Sequence, residues 1–374
     1  MQIIEEKMKK RNYGIDLLRL VAMYMIVILH VLGNGGVLGA TSGLKNSIAW
    51  FLEIAAYCSV NCYAIISGYV CYSDQNKEYH YEKILHFLLQ VIVYSLGITL
   101  IVFLVRPEKV SIGLIIRSTF PIASKQYWYA SAYVGLFFVI PWLNKLIRSC
   151  DKKEISRLIF IISTVFIIYM TFANICSVDS ANTKIGDPFS FEDGYSFSWL
   201  TILYVVGAWM KKCDIPYKMK NRDLFIGMGS NILITWLFLI LNLPAGFSKL
   251  FINYTSITIV YSAFALVAIF SKIQLRTMGS RVVSCFAPAA FGVYLIHVHP
   301  ILWDAMTNKF IWIAELRGWT IPGVVCGIAF GIFTICIFIE KIRLILFDLL
   351  RINQLVDKIA ITLRQMVENK LSFF

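Results

Sequence analysis

The chain has little charge for its length. Asp, Glu, Lys and Arg together make up only 15% of its 374 residues, whereas apolar residues make up 58%. A soluble domain needs a charged and polar surface, and this composition cannot cover one. The mean hydropathy of +0.70 points the same way. The shortage of charge therefore excludes an ordinary soluble enzyme or binding module.

Several sequence signatures of chemistry are also missing. The nine cysteines form no C-x-x-C pair and have no metal-ligand spacing, so we expect no metal. The chain contains no P-loop and no G-x-S-x-G nucleophile elbow. Its first apolar run is too long for a cleavable signal peptide and contains Arg19. Without repeats or a hydrophilic block, 1–374 is expected to form a single integral domain.

Apolar residues are abundant and fall in runs of about twenty, the length of a helix that crosses a bilayer. The predicted fold class is therefore an all-α integral membrane protein with about ten transmembrane helices. The stretch 342–374 is amphipathic and predicts an interfacial helix on the membrane surface. The predicted spans are 13–33, 47–72, 84–105, 126–147, 156–175, 196–211, 223–242, 252–271, 284–304 and 319–340.

The basic residues predict the orientation of these spans. Most of the 35 Lys and Arg residues lie in the segments that are inside when the N-terminus is cytoplasmic, as the positive-inside rule requires. We therefore expect both termini in the cytoplasm, with 1–12 as a cytoplasmic tail, in a multi-pass protein of the cell membrane. The net charge of +13 resides in short loops between apolar runs. The expected partner is thus the lipid bilayer, and no nucleic acid.

Ionisable residues inside the apolar runs indicate a candidate site, because such groups are costly at membrane depth. Arg19 and His30 lie on the first span, eleven residues or roughly 16 Å apart along a helix. The predicted topology places Arg19 near the cytoplasmic surface. It places His30, Glu53 and His297, each from a different helix, in the outer half of the membrane.

Each of these residues allows two interpretations. His30 can act as a general base if Glu53 binds its other ring nitrogen and orients it, or the pair can be a structural hydrogen bond. His297 can contact substrate or simply pack. Asp16 and Arg19 are three residues apart, so a structural ion pair competes with a functional role for Arg19.

Two further stretches remain open in the same way. The aromatic cluster that contains Trp128 and Tyr129 is either an interfacial belt or a stacking surface for a sugar. Ser67-Gly68-Tyr69 is either a close helix contact through glycine or a bend that admits a ligand.

Four stretches in order resemble the acyltransferase 3 family of membrane acyltransferases. Gly14-Ile-Asp-Leu-Leu-Arg19, followed after ten residues by His30, is similar to the first-helix signature of that family. The other three resemble its F-x-x-S-G-[FY], Trp-rich and Y-L-x-H motifs. They are Ala64-Ile-Ile-Ser67-Gly68-Tyr69, Gln126-Tyr-Trp128-Tyr129 with the exit Pro141-Trp-Leu-Asn144, and Phe291-Gly-Val-Tyr294-Leu-Ile-His297.

The resemblance implies an O-acyltransferase that moves an acyl group, usually acetyl from acetyl-CoA, to a hydroxyl of a cell-envelope glycan. It makes His30 the catalytic residue and places Arg19 in the donor site. Glu53 is the expected helper of His30 because of its predicted depth, not because of the resemblance. The family often has a basic R-x-x-R motif after the S-G-[FY] helix, where this chain has Lys83-Ile-Leu-His86. Lys83 and His86 are therefore expected to contact the donor together with Arg19. Substrate contacts are expected from Ser67, Tyr69, Trp128, Tyr129, Tyr294 and His297.

The partner and the course of the reaction stay open at this point. One branch of the family carries an extra extracellular hydrolase-like domain that finishes the transfer. No such domain is expected in 1–374, so this chain is expected to act directly or with a separate extracytoplasmic transferase or polysaccharide-synthesis protein. Direct transfer and a covalent acyl-histidine are both compatible with the residues. The alternative functions are a transporter or flippase for a polar substrate, in which the same groups relay protons or bind cargo, and a membrane module that only binds.

Overall fold

The computed structural model describes residues 11–75, 81–176, 187–241 and 250–371, and these segments form an all-α membrane protein. Most of the predicted tail 1–12 and the last residues of 342–374 lie outside the described part. The helices are α1 Tyr13–Leu32, α2 Val37–Ala40, α3 Gly43–Tyr57, α4 Ser59–Cys71, α5 Tyr81–Val105, α6 Ile112–Thr119, α7 Trp128–Ser149, α8 Lys152–Ile162, α9 Tyr169–Cys176, α10 Phe197–Lys212, α11 Ile215–Lys218, α12 Asn221–Ile240, α13 Ile257–Phe270, α14 Thr277–Phe286, α15 Ala290–His297, α16 Pro300–Met306, α17 Ile321–Leu349 and α18 Ile352–Leu371.

Within the described segments, eight helical stretches are long and apolar enough to cross a membrane, and each corresponds to one of the ten predicted spans. The predicted spans 196–211 and 252–271 correspond instead to the shorter helices α10 and α13, of 16 and 14 residues. A helix of 14 residues is only about 21 Å long, less than a bilayer core of about 30 Å. More than half of the residues of each helix are buried, so both helices contact mainly other parts of the protein.

Helix α1 is the centre of the bundle. Asn12 caps its start, because the side-chain oxygen accepts a hydrogen bond from the amide of Ile15. More than half of the residues of α1 are buried, and the helix packs against α3, α4, α13, α14, α15 and α17. The helix that carries Arg19 and His30 is therefore enclosed by protein along most of its length.

The predicted second span is divided at Cys58 into α3 and α4. Helix α4 lies against α10 at backbone contact distance: a Cβ atom at Gly68 would be 1.9 Å from the carbonyl oxygen of Tyr204. A Cβ atom at Gly207 of α10 would be 2.0 Å from the carbonyl oxygen of Ile65. The small residue at each position permits this approach. Gly68 therefore serves as a close helix contact.

The C-terminal segment differs from the prediction of a single interfacial stretch over 342–374. Helix α17 continues to Leu349, and α18 begins at Ile352. Arg351 separates them in a left-handed conformation, with φ of 55°. Helix α18 then packs along α5, where Nε2 of His86 lies 2.8 Å from Oδ1 of Asp357. The amphipathic helix is thus shorter than predicted and is fixed to the bundle.

Candidate active site

His30 in the last turn of α1 is joined to His297 at the end of α15. Nδ1 of His30 lies 2.8 Å from Nε2 of His297, and Nδ1 of His297 lies 2.6 Å from the carbonyl oxygen of Val293. A carbonyl oxygen only accepts, so Nδ1 of His297 carries the proton. In a neutral His297, Nε2 then accepts from Nδ1–H of His30. This arrangement leaves Nε2 of His30 with a lone pair.

Glu53 does not take the place beside His30 that the sequence predicted for it. The ring nitrogen that was to receive the carboxylate is bonded to His297 instead. Glu53 is 7% exposed, and its Oε2 has no hydrogen-bond partner among the described residues. The packing of α15 against α1 therefore brings His297, and not Glu53, to His30.

A narrow cavity of about 60 Å³ lies at His30 and is lined mostly by aromatic side chains. Trp128, Tyr129 and Tyr294, which the sequence assigned to substrate, all line it. Tyr195 and Tyr254 complete the aromatic wall: the ring of Tyr195 makes edge contacts with both Trp128 and Tyr254. The cluster at Trp128 is therefore part of an internal cavity wall and not only an interfacial belt.

A larger pocket of about 630 Å³ opens near the start of α1. Four of the predicted residues, Arg19, Ser67, Lys83 and His86, line it together with Tyr129. Its volume lies within the usual range of small-molecule and cofactor sites. The lining residues of the described chain include no Asp or Glu. The pocket is therefore suited to an anionic ligand.

The two spaces share part of their lining. Tyr63, Tyr129 and Phe291 contribute to both the pocket at Arg19 and the cavity at His30. Tyr63 also donates a hydrogen bond of 2.6 Å to the carbonyl oxygen of Arg19. These three side chains form the boundary that a ligand reaching from one space to the other would pass.

Arg19 also forms the ion pair that competed with its functional interpretation. Its Nη1 lies 2.9 Å from Oδ1 of Asp16, and Nε of Arg11 lies 2.5 Å from Oδ2 of the same carboxylate. The side chain of Arg19 nevertheless remains 33% exposed. The guanidinium group has five N–H donors, so a single bond to Asp16 leaves Arg19 able to bind a ligand as well.

A second pocket of about 610 Å³ lies on the other side of Arg19. Tyr69 lines this pocket, whereas Ser67 lines the first one, because residues two apart on a helix point in different directions. Tyr69 is therefore separated from the other predicted substrate residues. Lys272 also lines the second pocket, and burial lowers the pKa of its ammonium group.

The structure adds residues that the sequence reasoning did not assign to a site. Arg343 lines the pocket at Arg19, and it is held there by the fully buried Glu340. Glu340 lies at the end of an apolar run, and an ionisable group in such a run is itself a signal. No comparable signal exists for Tyr63, Tyr195 or Tyr254, which are aromatic residues in a chain rich in them.

Comparison with known proteins adds one finding. A family model described as an acyltransferase domain matches residues 12–341 of the chain. No curated protein and no solved structure matches the chain significantly. The matched range includes both histidines of the pair and most of the lining of the pocket at Arg19 and the cavity at His30, and it ends two residues before Arg343.

Proposed function

The chain belongs to the acyltransferase 3 family, and from this premise we propose that it transfers an acetyl group from acetyl-CoA to a hydroxyl of a cell-envelope polysaccharide or of its lipid-linked precursor. It is an acyl-transferring membrane enzyme by family. We propose the cell membrane as its location, with the donor bound from the cytoplasm and the acceptor from outside.

The observation that carries this proposal is the shared lining of the two spaces. An acyl-CoA donor has a phosphorylated nucleotide at one end and a reactive thioester at the end of a long flexible arm. Such a molecule needs a roomy basic pocket joined to a narrow reaction cavity. The pocket at Arg19 is roomy and basic, the cavity at His30 is narrow, and Tyr63, Tyr129 and Phe291 border both.

The basic side chains of the larger pocket support donor binding. Arg19 and Lys83 line it, and charge-assisted hydrogen bonds to phosphate are the strong kind. His86 is held by Asp357 of α18 and also faces this pocket. We place the nucleotide here and the acyl arm along Tyr63 towards His30.

His30 supplies the general base in this mechanism. Its Nε2 takes the proton of the acceptor hydroxyl while the hydroxyl oxygen attacks the thioester carbonyl. The new C–O ester bond forms as the C–S bond breaks, and the proton passes from His30 to the departing thiolate. His297 holds the ring of His30 in the tautomer that this step requires. The reaction therefore returns His30 to its starting state.

The acceptor is assigned to the aromatic side of the cavity. Trp128, Tyr195 and Tyr254 present rings at its wall, and aromatic faces offer apolar area with polar groups at their edges. A sugar ring has both apolar C–H faces and hydroxyl groups. These residues would hold the sugar while one of its hydroxyls reaches His30.

The test measures the transfer of label from [acetyl-¹⁴C]acetyl-CoA to an envelope glycan. The purified protein is placed in lipid nanodiscs, and the glycan is taken from a strain that lacks the protein. We expect alkali-labile label in the glycan with the native chain and none with His30→Ala at equal protein level. A compositional analysis of the envelope glycan with and without the protein should show the loss of one ester. Transport without transfer of label would support the transporter alternative, and full activity of His30→Ala would overturn the assignment of the base.

A further inference from the structure

The pocket at Arg19 receives a cation from a part of the chain beyond the family match. Arg343 follows the end of the matched range at 341, yet its side chain lines the same pocket as Arg19 and Lys83. Leu344, Phe347 and Asn353 line it as well. The end of α17 and the start of α18 therefore form one wall of this pocket.

Arg343 is fixed by a buried carboxylate. Its Nε and Nη2 donate to the two oxygens of Glu340 at 2.8 and 2.5 Å. Glu340 has no exposed surface, and it also accepts from the hydroxyl of Tyr94 at 2.5 Å and from the amide of Gln90 at 3.0 Å. Four donors thus hold this carboxylate, and the carboxylate in turn fixes the plane of the guanidinium group.

The other edge of the guanidinium group is not used by this pair. Glu340 is bound through Nε and Nη2, so the two N–H groups of Nη1 remain outside the bidentate contact. The guanidinium carbon lies 4.6 Å from the ring centroid of Phe347, and the side chain is 14% exposed. A planar donor group that is already fixed loses little freedom when it binds an anion.

We propose that Arg343 binds a phosphate group of the donor nucleotide and that Glu340, Tyr94 and Gln90 act as positioning residues for it. This inference rests on the proposed function, because it takes the pocket at Arg19 as the donor site. The ligand class is a phosphate ester of coenzyme A, bound between the wall that carries Arg343 and the wall that carries Arg19 and Lys83. The stretch beyond the matched domain is then part of the binding site.

The experiment measures the binding of coenzyme A by calorimetric titration of the full chain in nanodiscs of zwitterionic lipid. We expect Arg343→Gln to weaken binding roughly 10- to 100-fold, the loss typical of a hydrogen-bonded charge pair. Lys358→Gln is the matched control: it removes one positive charge from an exposed position of α18 that lines neither pocket. Its affinity should equal that of the native chain.

Two further measurements keep the outcome interpretable. Arg343→Gln leaves the buried Glu340 without its cation, which can destabilise the fold, so the double variant Glu340→Gln, Arg343→Gln is tested beside it. Transfer from acetyl-pantetheine, which has no phosphate, should proceed equally well in the native chain and both variants. An equal loss with this donor would indicate general damage and would overturn the role of Arg343 in phosphate binding.

The remaining outcomes separate the two proposals. If the native chain binds coenzyme A and Arg343→Gln binds it equally well, the role of Arg343 is overturned and the proposed function stands. If the native chain binds no coenzyme A, the proposed function and the role of Arg343 are both overturned. If Arg343→Gln differs from the native chain only in nanodiscs of anionic lipid, Arg343 contacts a lipid headgroup and the proposal is wrong.

Discussion

His30 and His297 meet end to end, with Nδ1 of the first 2.8 Å from Nε2 of the second. The bond of His297 to the carbonyl oxygen of Val293 fixes the direction of the whole chain of hydrogen bonds. A proton taken up at Nε2 of His30 can be shared with the second ring through this bond. In the proposed reaction the ring of His297 would hold the tautomer and orientation of His30, as the carboxylate does in the familiar triad, but without the negative charge of that carboxylate.

The first prediction concerns His297. His297→Ala should lower kcat for acetyl transfer about 100-fold or more, because His30 loses the partner that fixes its tautomer and orientation. The KM for acetyl-CoA should change little, since His297 lies outside the donor pocket. His297→Gln, whose amide oxygen can accept from Nδ1–H of His30, should recover part of the lost rate. Steady-state kinetics on the purified variants measures both values, and an unchanged kcat in His297→Ala would contradict the role.

The second prediction concerns Glu53, which the sequence suggested as the partner of His30. Glu53→Gln should keep most of the native kcat, because its carboxyl group is not bonded to His30. The variant should unfold at the same temperature or higher, since Oε2 is buried without a hydrogen-bond partner in the described chain and a buried polar group without a partner is costly. Kinetics and a thermal melt of the same sample test this. A loss of kcat as large as that of His297→Ala would restore Glu53 as the orienting group.

The sequence predicted the class of fold and part of the site for physical reasons. Runs of about twenty apolar residues and a scarcity of charge leave few alternatives to a helical membrane protein. Arg19 and His30 stand out because ionisable groups are rare in such runs. The relative depth of His30 and His297 also follows from counting residues along two helices, and their direct contact agrees with it.

The partner of each side chain could not be predicted in the same way. Counting gives depth along a helix but not the rotation of one helix about its axis relative to another. Glu53 was therefore predicted as the partner of His30, and His297 as a residue that packs or contacts substrate. Arg343 was assigned to the membrane surface because 342–349 was separated from the preceding span. In the structure α17 continues through these residues, and this continuation brings Arg343 to the pocket.

The third prediction concerns the aromatic wall. Trp128→Ala should raise the KM for the glycan acceptor about tenfold and leave the KM for acetyl-CoA unchanged, because Trp128 lines the cavity at His30 but not the donor pocket. Trp142→Ala is the matched control, since Trp142 lies on the same helix and is 66% exposed. Kinetics with each substrate varied in turn makes the comparison. Equal effects of the two variants, or a change confined to acetyl-CoA, would count against an acceptor site at Trp128.

The last prediction connects the packing of α4 with the donor site. Helix α4 carries Tyr63 and Ser67, and Gly207 of α10 permits its close approach, because a Cβ atom there would lie 2.0 Å from the carbonyl oxygen of Ile65. Backbone cannot yield as a flexible side chain can, so Gly207→Ala should destabilise the protein and weaken the binding of coenzyme A. Gly229→Ala on α12 is the control: nothing lies within 4 Å of its Cβ position, and alanine there should be neutral or add up to about 1 kcal/mol of stability. Thermal melts and coenzyme A titrations of both variants decide the matter. If Gly207→Ala melts and binds like Gly229→Ala, the contact between α4 and α10 does not hold Tyr63 and Ser67 at the pocket.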